Sequence, residues 1–313
     1  GAWACPSPLQ HKGSAGKILI IGGSEGMAGA PLLAALGGLR AGAGLVHAAV
    51  PADLEPAFRS ACPEILVHPV GSGACWRESD APTLLALMRA IDPDSLVIGP
   101  GMGRSQAVRD IVQALLAGEN RPPAVVDADA LFFFRLPDHR AGQKEDAGRR
   151  ESGRDLPWEL LTEKDVISPH AGEMARMLPC SYFPDSVTGA GGEKPDLRAC
   201  IEVLQEDRAG ALRAFTRICA AVMILKGPGT LIGRRGATTV LCPIAAPALA
   251  VGGSGDVLAG LCAALIASGV SAFDAACLAV HLHARAGELL AEKAPRGHLA
   301  RDIAAAVPLA WKE

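Results

Sequence analysis

The sequence predicts an α/β fold in which a mostly parallel sheet lies between two layers of helices. Short, wholly apolar segments alternate with longer segments of helical character along almost the whole chain. Apolar segments of this kind are typical of parallel strands that are covered on both faces. Their alternation with helices indicates three α/β/α layers, and the abundance of glycine indicates many tight turns.

Nine segments are predicted to be strands. The first, Lys17–Ile21, is apolar after its lysine, and Ser95–Ile98 has the same short, buried character. The last two segments lie close together, which favours a hairpin. In chain order the predicted strands are 17–21, 43–50, 64–67, 95–98, 124–126, 165–168, 222–225, 231–232 and 238–241.

The segments between these strands are predicted to be helices. A helix from Pro31 to Ala41 follows the first strand and its glycine loop, and a run rich in alanine and leucine extends from Asp256 to Ile266. The sequence 169–173 is expected to open a further helix. The remaining predicted helices span 83–90, 106–116, 197–220, 272–293 and 301–312.

We expect residues 1–313 to form a single domain with two polar insertions. The length suits one large α/β domain and is enough to bury a sizeable core. Residues 137–164 are rich in charged residues, Gly and Pro, so we expect a solvated insertion that contributes little to the core. The second insertion, 179–196, is rich in Gly, Pro and Asp. Each of the two insertions could be a lid, a contact between subunits of an oligomer, or surface without a function.

The composition excludes several classes of function. The net charge of −3 gives no basic surface for nucleic acid. The nine cysteines are scattered without a CxxC pair, so neither a zinc site nor a thioredoxin-type motif is expected. No signal peptide or membrane-spanning segment is recognisable. We therefore expect a cytoplasmic protein with reduced thiols and no contact with membranes.

Six loops that carry glycine and a polar residue are expected at one edge of the sheet. In parallel sheets, ligands bind outside the carboxyl ends of the strands, where such loops gather. Their convergence predicts a site for a large, phosphate-rich ligand. The loops are 22–30, 99–103, 127–129, 169–173, 226–230 and 252–256.

The last of these loops leads through Ser254 and Gly255 to a single acid, Asp256, at the predicted start of a buried helix. The N–H groups at a helix N-terminus suit an anion such as phosphate. An acid beside them is placed to accept the proton of a substrate hydroxyl. Considered alone, this loop favours a structural role for Asp256 as an acid that caps the helix. The five other loops expected at the same edge favour a catalytic role instead.

Seven short motifs occur in a fixed order between about residues 11 and 290. They are His11-Lys12-Gly13, Gly22-Gly23-Ser24 with Gly29-Ala30, Gly99-Pro100-Gly101-Met102-Gly103, Asp127-Ala128-Asp129, Pro169-His170-Ala171-Gly172-Glu173, Lys226-Gly227-Pro228-Gly229-Thr230 and Gly253-Ser254-Gly255-Asp256. In these motifs the sequence resembles the ADP/ATP-dependent NAD(P)H-hydrate dehydratases, whose fold is ribokinase-like. Seven ordered motifs are far more specific than any one of them.

The resemblance implies repair of the S-epimers of NADHX and NADPHX, hydrated forms of NADH and NADPH, with ADP or ATP as phosphoryl donor and Mg²⁺. Asp256 would be the base on the hydrate hydroxyl. The hydrate would contact Ala30, Gly103, His170 and Asp256. Glu173 would bind magnesium. The nucleotide would be held by Lys226, Gly227, Pro228, Gly229, Thr230, Ser254 and Gly255.

Several of these residues also have a structural interpretation. His170 could be a residue at a helix start, and Glu173 could complement the helix dipole. For Asp127 and Asp129 we favour turn formation after a strand. His11 and Lys12 could touch a ligand phosphate or belong to a solvated terminus.

Two other functions remain open, a ribokinase-like small-molecule kinase of the hydroxyethylthiazole type and a non-catalytic nucleotide-binding module. A sugar kinase fits less well, because no Asp-Thr precedes the catalytic loop and Asn120 is not part of an Asn-x-x-Glu motif. The resemblance also implies a homo-oligomer, often a tetramer, and an epimerase partner, fused or separate. Because the chain begins close to His11, we do not expect it to contain that epimerase.

Overall fold

The computed structural model describes residues 13, 15–135, 155–184, 187 and 196–311. Within these ranges a nine-stranded sheet has the order β3-β2-β1-β4-β5-β6-β7-β8-β9. The strands are β1 Lys17–Ile21, β2 Leu45–Pro51, β3 Leu66–Val70, β4 Ser95–Ile98, β5 Ala124–Val126, β6 Val166–Ile167, β7 Val222–Leu225, β8 Leu231–Gly233 and β9 Val240–Leu241. The predicted motif at His11 and Lys12 and much of both insertions lie outside the described residues.

The pairing confirms a mostly parallel sheet with a terminal hairpin. Every neighbouring pair from β3 to β7 is parallel. Strand β8 runs antiparallel to both β7 and β9. The carboxyl ends of the parallel strands therefore meet at one edge, as the α/β prediction requires.

Helices cover both faces of this sheet. They are α1 Gly29–Ala41, α2 Glu55–Ala61, α3 Ala81–Ile91, α4 Gln106–Leu116, α5 Ala171–Met177, α6 Leu197–Glu206, α7 Arg208–Ile218, α8 Ser254–Ala267, α9 Ala272–Lys293 and α10 Ala300–Ala310. None of the helices in the described ranges combines the length and apolar character needed to cross a membrane.

Two helical predictions differ from the structure. The predicted helix 197–220 is divided at Asp207, whose side chain accepts a hydrogen bond from the Gly210 N–H at 2.7 Å and caps α7. The short helix α2 was not predicted. With seven residues, it is too short to display a clear helical periodicity.

The two layers bury different kinds of side chain. On one face, α1, α8, α9 and α10 form a core dominated by Ala, Val and Leu. The backbones of α1 and α8 approach so closely that a Cβ on Gly260 would lie 1.8 Å from the Ala34 carbonyl oxygen. The opposite core is richer in large aromatic side chains. Close helix packing on the first face thus depends on glycine at the contact.

The expectation that the first insertion contributes little to the core is wrong for its described part. Leu156, Trp158 and Leu161 are each less than 7% exposed. The Trp158 ring lies 5.1 Å from the Phe134 ring and 5.0 Å from the Phe215 ring, measured between centroids. These few apolar residues follow a long polar stretch, so composition averaged over the whole insertion conceals them.

A buried ion pair joins the starts of two neighbouring strands at the amino edge of the sheet. The Asp165 carboxylate is fully buried and accepts bonds from both Arg121 Nη atoms, at 2.7 and 2.6 Å. It also accepts from the N–H groups of Ala124 and Thr162. All of its lone pairs are directed at donors, which is the condition under which a buried ion pair is tolerated.

Replacing Asp165 by Asn should lower the free energy of unfolding by about 3 kcal/mol or more, because it leaves the Arg121 guanidinium buried without its counter-charge. Urea denaturation measures this change. Glu55→Gln provides the matched control, since Glu55 pairs with Arg59, whose side chain is 73% exposed. Equal, small effects of the two substitutions would contradict the assigned importance of the buried pair.

Candidate active site

The predicted loops converge at the carboxyl edge of the sheet. Backbone and side-chain contacts tie neighbouring loops together in a chain across this edge. The contacts are Gly23 N–H to Pro100 O at 2.8 Å, Gly103 N–H to Asp129 Oδ2 at 3.0 Å, Lys226 N–H to Pro169 O at 2.9 Å and Lys226 Nζ to Asp127 Oδ1 at 2.8 Å. The predicted convergence of these loops at one edge of the sheet is confirmed.

A cavity of about 850 Å³ lies among four of these loops. Loops 127–129, 169–173, 226–230 and 252–256 supply its polar walls. Apolar residues that follow β9, together with residues of α9, supply the remaining wall; they include Ile244, Pro247, Leu249, Val280 and Ala284. A cavity of this size, polar at one side and apolar at the other, suits a nucleotide-sized ligand.

The loop before α8 has the geometry of an anion site. Gly253 adopts a φ of 87°, and α8 begins at the next residue, Ser254. The first N–H groups of a helix have no intrahelical acceptor, and the helix dipole adds positive charge there. The left-handed conformation of residue 253 favours glycine.

Asp256 lies in the first turn of α8 and lines the cavity. Its pKa is raised to about 7, mainly by burial and next by the charge of Asp127, with Lys226 acting in the opposite direction. A carboxylate with a pKa near neutrality can accept a proton from a bound ligand more readily than an ordinary aspartate. This is the property that a general base needs.

Lys226 is the central cation of the site. Its ammonium lies 2.8 Å from Asp127 Oδ1 and 4.0 Å from Glu173 Oε2. Burial disfavours its charge, but Asp127 and then Glu173 more than offset this effect and raise the pKa of Lys226. Lys226 thus stays protonated among the surrounding acids.

The structure extends the turn-forming interpretation of Asp127 and Asp129. Ala128 between them has a φ of 52°, so a tight turn is present. The Asp127 side chain is 1% exposed and holds Lys226. The Asp129 carboxylate binds the Gly103 N–H and, at 2.9 Å, Arg104 Nε. Turn formation alone is therefore too limited a description of these aspartates, because both side chains connect loops of the site.

His170 and Glu173 form a reciprocal cap at the start of α5. His170 Nδ1 accepts from the N–H groups of Gly172 and Glu173, and Glu173 Oε2 accepts from the His170 N–H at 2.8 Å. Burial raises the pKa of Glu173 to about 7, against the opposing charge of Lys226. The structural interpretation of both residues thus holds, while both also line the cavity.

Most of the predicted site residues lie at this cavity. The residues in its lining are His170, Glu173, Lys226, Gly227, Pro228, Thr230, Ser254, Gly255 and Asp256. Gly229 belongs to the same loop but not to the lining. Ala30 and Gly103 lie outside the lining: Ala30 is in the first turn of α1, near Gly101, and Gly103 is on an adjoining loop beside Asp129. Within the described ranges, no three His, Cys, Asp or Glu side chains are grouped as a metal site.

Two residues of the site were not found from the sequence. Arg208, at the start of α7, donates to the carbonyl oxygens of Leu225, Pro228 and Gly229, and so holds the 226–230 loop from its other side. In the sequence it is an ordinary helical arginine close to the second insertion. The contact depends on how α7 packs, which no local motif records.

His283, on α9, is the second such residue. Its Nε2 lies 3.1 Å from Ser254 Oγ and 3.0 Å from Ser254 O, so it supports the first residue of α8. Burial lowers the pKa of His283 to about 4. The imidazole is therefore neutral at physiological pH, and it connects α9 to the loop that carries Asp256.

A three-layer α/β/α sandwich with a ligand cavity at the carboxyl edge and an acid in the first turn of a helix defines the ribokinase-like class. Ribokinase from Cryptococcus neoformans shares this fold with a TM-score of 0.51 at 16% identity, over 93% of this chain and 98% of that one. The ADP/ATP-dependent NAD(P)H-hydrate dehydratase from Bacillus subtilis, co-crystallized with ATP/Mg²⁺, is more similar. Its TM-score is 0.71 at 25% identity, over 98% of this chain and 93% of that one.

The chain belongs to the NAD(P)H-hydrate dehydratase family, whose model matches residues 18–309. It is 35% identical over 297 residues to the bifunctional NAD(P)H-hydrate repair enzyme of Moorella thermoacetica, covering 94% of this chain and 48% of that protein. It is 31% identical to the ADP-dependent (S)-NAD(P)H-hydrate dehydratase of Neisseria meningitidis, covering 95% and 85%. The chain thus spans about half the length of the bifunctional relatives that it matches.

Acid should destabilise the protein through His283. Its pKa is about 4 in the folded state and about 6.5 in the unfolded state. Between these values the unfolded chain binds more protons, so stability falls as the pH is lowered below about 6.5. From pH 7.5 to 4.5 this contribution amounts to about 2 to 3 kcal/mol, and His283→Gln, which cannot titrate, should reduce the acid sensitivity of urea denaturation by that amount.

The control for this experiment is His281→Gln, since His281 is exposed on the same helix. The His281 variant should keep the acid sensitivity of the unsubstituted protein. If His283→Gln leaves the pH dependence unchanged as well, the neutral, buried state assigned to His283 is wrong.

Proposed function

We propose that this chain catalyses the ADP- or ATP-dependent dehydration of (S)-NADHX and (S)-NADPHX to NADH and NADPH. The observation that carries the proposal is the Asp256 carboxyl, which lies partly buried at a helix start whose N–H groups suit an anion and has a pKa raised to about 7. Membership of the NAD(P)H-hydrate dehydratase family supports the choice of substrate. The names of the relatives support the choice of phosphoryl donor.

The chemistry explains why a kinase-like site suits a dehydration. Hydroxide is a poor leaving group, whereas phosphate is a good one. Asp256 accepts the proton of the hydrate hydroxyl while the hydroxyl oxygen forms a bond to the terminal phosphorus of the nucleotide. At the same time the bridging P–O bond breaks, and its electrons go to the departing nucleotide. The N–H groups of Ser254, Gly255 and Asp256 stabilise the charge on the transferring group. Phosphate then leaves with the C–O bond electrons, and loss of a ring proton restores the double bond.

The proposed nucleotide site combines the 226–230 loop with the apolar wall of the cavity. Lys226 attracts the phosphates, and the backbone of Gly227 to Thr230 can approach them closely. The apolar residues around Ile244 and Leu249 suit a purine ring. Arg208 keeps the loop in place through three carbonyl contacts.

The residues present fit a magnesium ion that is bound mainly by phosphates. Mg²⁺ in nucleotide-dependent enzymes is commonly held by one or two carboxylates together with substrate phosphates. Glu173 offers such a carboxylate in the cavity, 4.0 Å from Lys226 Nζ. We assign Glu173 as the residue that would hold Mg²⁺, which supplies charge neutralisation of the phosphates when it is bound.

The hydrate is proposed to lie between Asp256 on one side and Ala30, at the start of α1, Gly103 and His170 on the other. His170 lines the cavity, and its side chain is 56% exposed at the cavity surface. We further propose a homotetramer in the cytoplasm. An epimerase that interconverts the hydrate epimers would act with it, either separately or as part of a bifunctional protein like that of Moorella thermoacetica.

Asp256→Asn should reduce kcat for NADHX by at least about 10²-fold, because the amide cannot accept the proton. The affinity for ADP and ATP should change less than about threefold, since the N–H groups at the helix start remain. Recovery of absorbance at the reduced-nicotinamide band measures turnover, and isothermal titration calorimetry measures nucleotide affinity. Asp274→Asn, at the exposed start of α9, is the control and should retain full activity.

Unchanged turnover in Asp256→Asn would contradict the role of this residue as the base. A different result would overturn the substrate assignment. If the unsubstituted protein leaves NADHX unchanged with either nucleotide but phosphorylates a vitamin-like alcohol, the chain is a small-molecule kinase. If it binds nucleotide and modifies neither substrate, it is a nucleotide-binding module.

A further inference from the structure

Arg104 is held by two side-chain contacts beside the proposed hydrate site. It directly follows Gly103, and its Nε donates to Asp129 Oδ1 at 2.9 Å. The guanidinium carbon also lies 5.1 Å from the centroid of the Phe132 ring. Asp129 uses its other oxygen for the Gly103 N–H. One edge and one face of the guanidinium are thus fixed, which reduces the entropy lost when it binds a ligand.

The outer edge of this guanidinium is available. Among the residues that the structure describes, neither Nη atom of Arg104 has a hydrogen-bond partner. The Arg104 side chain is 46% exposed, and Phe132 beneath it is 40% exposed. Two parallel N–H donors on a planar fork match two oxygens of a phosphate group, and such charge-assisted pairs are among the strongest hydrogen bonds in proteins.

Arg104 and Lys226 flank the same short loop. Asp127 pairs with Lys226, and Asp129, two residues further along, pairs with Arg104. Lys226 is balanced by Asp127 and Glu173, whereas the outer edge of Arg104 faces no carboxylate in the described ranges. The pKa of His170, which lines the cavity, is lowered by burial and by Lys226, against the opposing charge of Asp127; Arg176 and Arg104 add smaller lowering effects.

The proposed substrate needs such a second cationic group. Its reacting ring is placed at Asp256, but a dinucleotide also carries a pyrophosphate that links its two nucleoside halves. We propose that Arg104 binds this pyrophosphate through the outer edge of its guanidinium and thereby selects dinucleotides over mononucleotides. The inference rests on the proposed function for the identity of the ligand, and it adds a specificity-determining residue to it.

Binding of the reaction products tests the inference without requiring turnover. NADH, NADPH and reduced nicotinamide mononucleotide, which has no pyrophosphate, are titrated into the protein and its variants by isothermal titration calorimetry. For Arg104→Ala, the Kd of NADH and of NADPH should rise at least tenfold. The Kd of the mononucleotide should change less than threefold. Arg104→Lys should give an intermediate loss, because an ammonium keeps the charge but not the fork.

Arg234→Ala is the matched control. Arg234 also stacks on a phenylalanine, at 4.6 Å from the Phe273 ring centroid, but it follows β8 at the amino edge of the parallel strands. This variant should bind all three ligands like the unsubstituted protein. ADP affinity should be unchanged in every variant, which shows that the cavity itself is intact.

Several results would overturn the inference. Unchanged NADH affinity in Arg104→Ala contradicts it, and so does an equal loss for the mononucleotide, which would mean that Arg104 only supports the Gly103 loop. A loss confined to NADPH would assign Arg104 to the 2′-phosphate instead. Failure of the proposed function is separate, because it appears as absent NADHX turnover in the unsubstituted protein, whereas failure of the Arg104 inference appears with turnover intact.

Discussion

The position of Asp256 depends on the close contact between two helix backbones. Helix α8 can lie directly on α1 because Gly260 presents no side chain to the Ala34 carbonyl, and Gly37 likewise faces Val257 O, 2.2 Å from where its Cβ would be. A larger residue at either position would push α8 away from α1. Because Asp256 lies in the first turn of α8, directly before Val257, this helix contact determines where the proposed base is held.

The second determinant of the site is the balance of charge around Lys226. One ammonium faces three acids, and the enclosed position raises the pKa of Asp256 and Glu173 to about 7. Burial is the main cause of both raised pKa values, and the surrounding charges add smaller shifts. An isolated acid at the start of an exposed helix would remain ionised and weakly basic. The fold therefore produces the basicity of Asp256 by bringing strand-end loops together around it.

The sequence predicted the fold and the converging loops because both are encoded locally. Strands such as Ser95–Ile98 were predicted with the bounds that the structure has, since their apolar runs end abruptly at glycine or acid. Arg208 and His283 could not be recognised, because each acts on a loop distant in sequence, 17 to 21 residues away for Arg208 and 29 for His283. The burial of Trp158 was not predicted for a different reason: polar residues dominate the composition of the insertion that contains it.

The two faces of the sheet differ in how closely their helices approach one another. The layer of α1 and α8 relies on backbone contact, where added atoms have no space. Both described ends of the polar insertions, with Trp158 and Phe183, join the opposite layer, whose aromatic packing accommodates extra chain. The described ends of both insertions are thus anchored on the face of the sheet that does not carry Asp256. The packing that holds these segments is therefore separate from the packing that positions the proposed base.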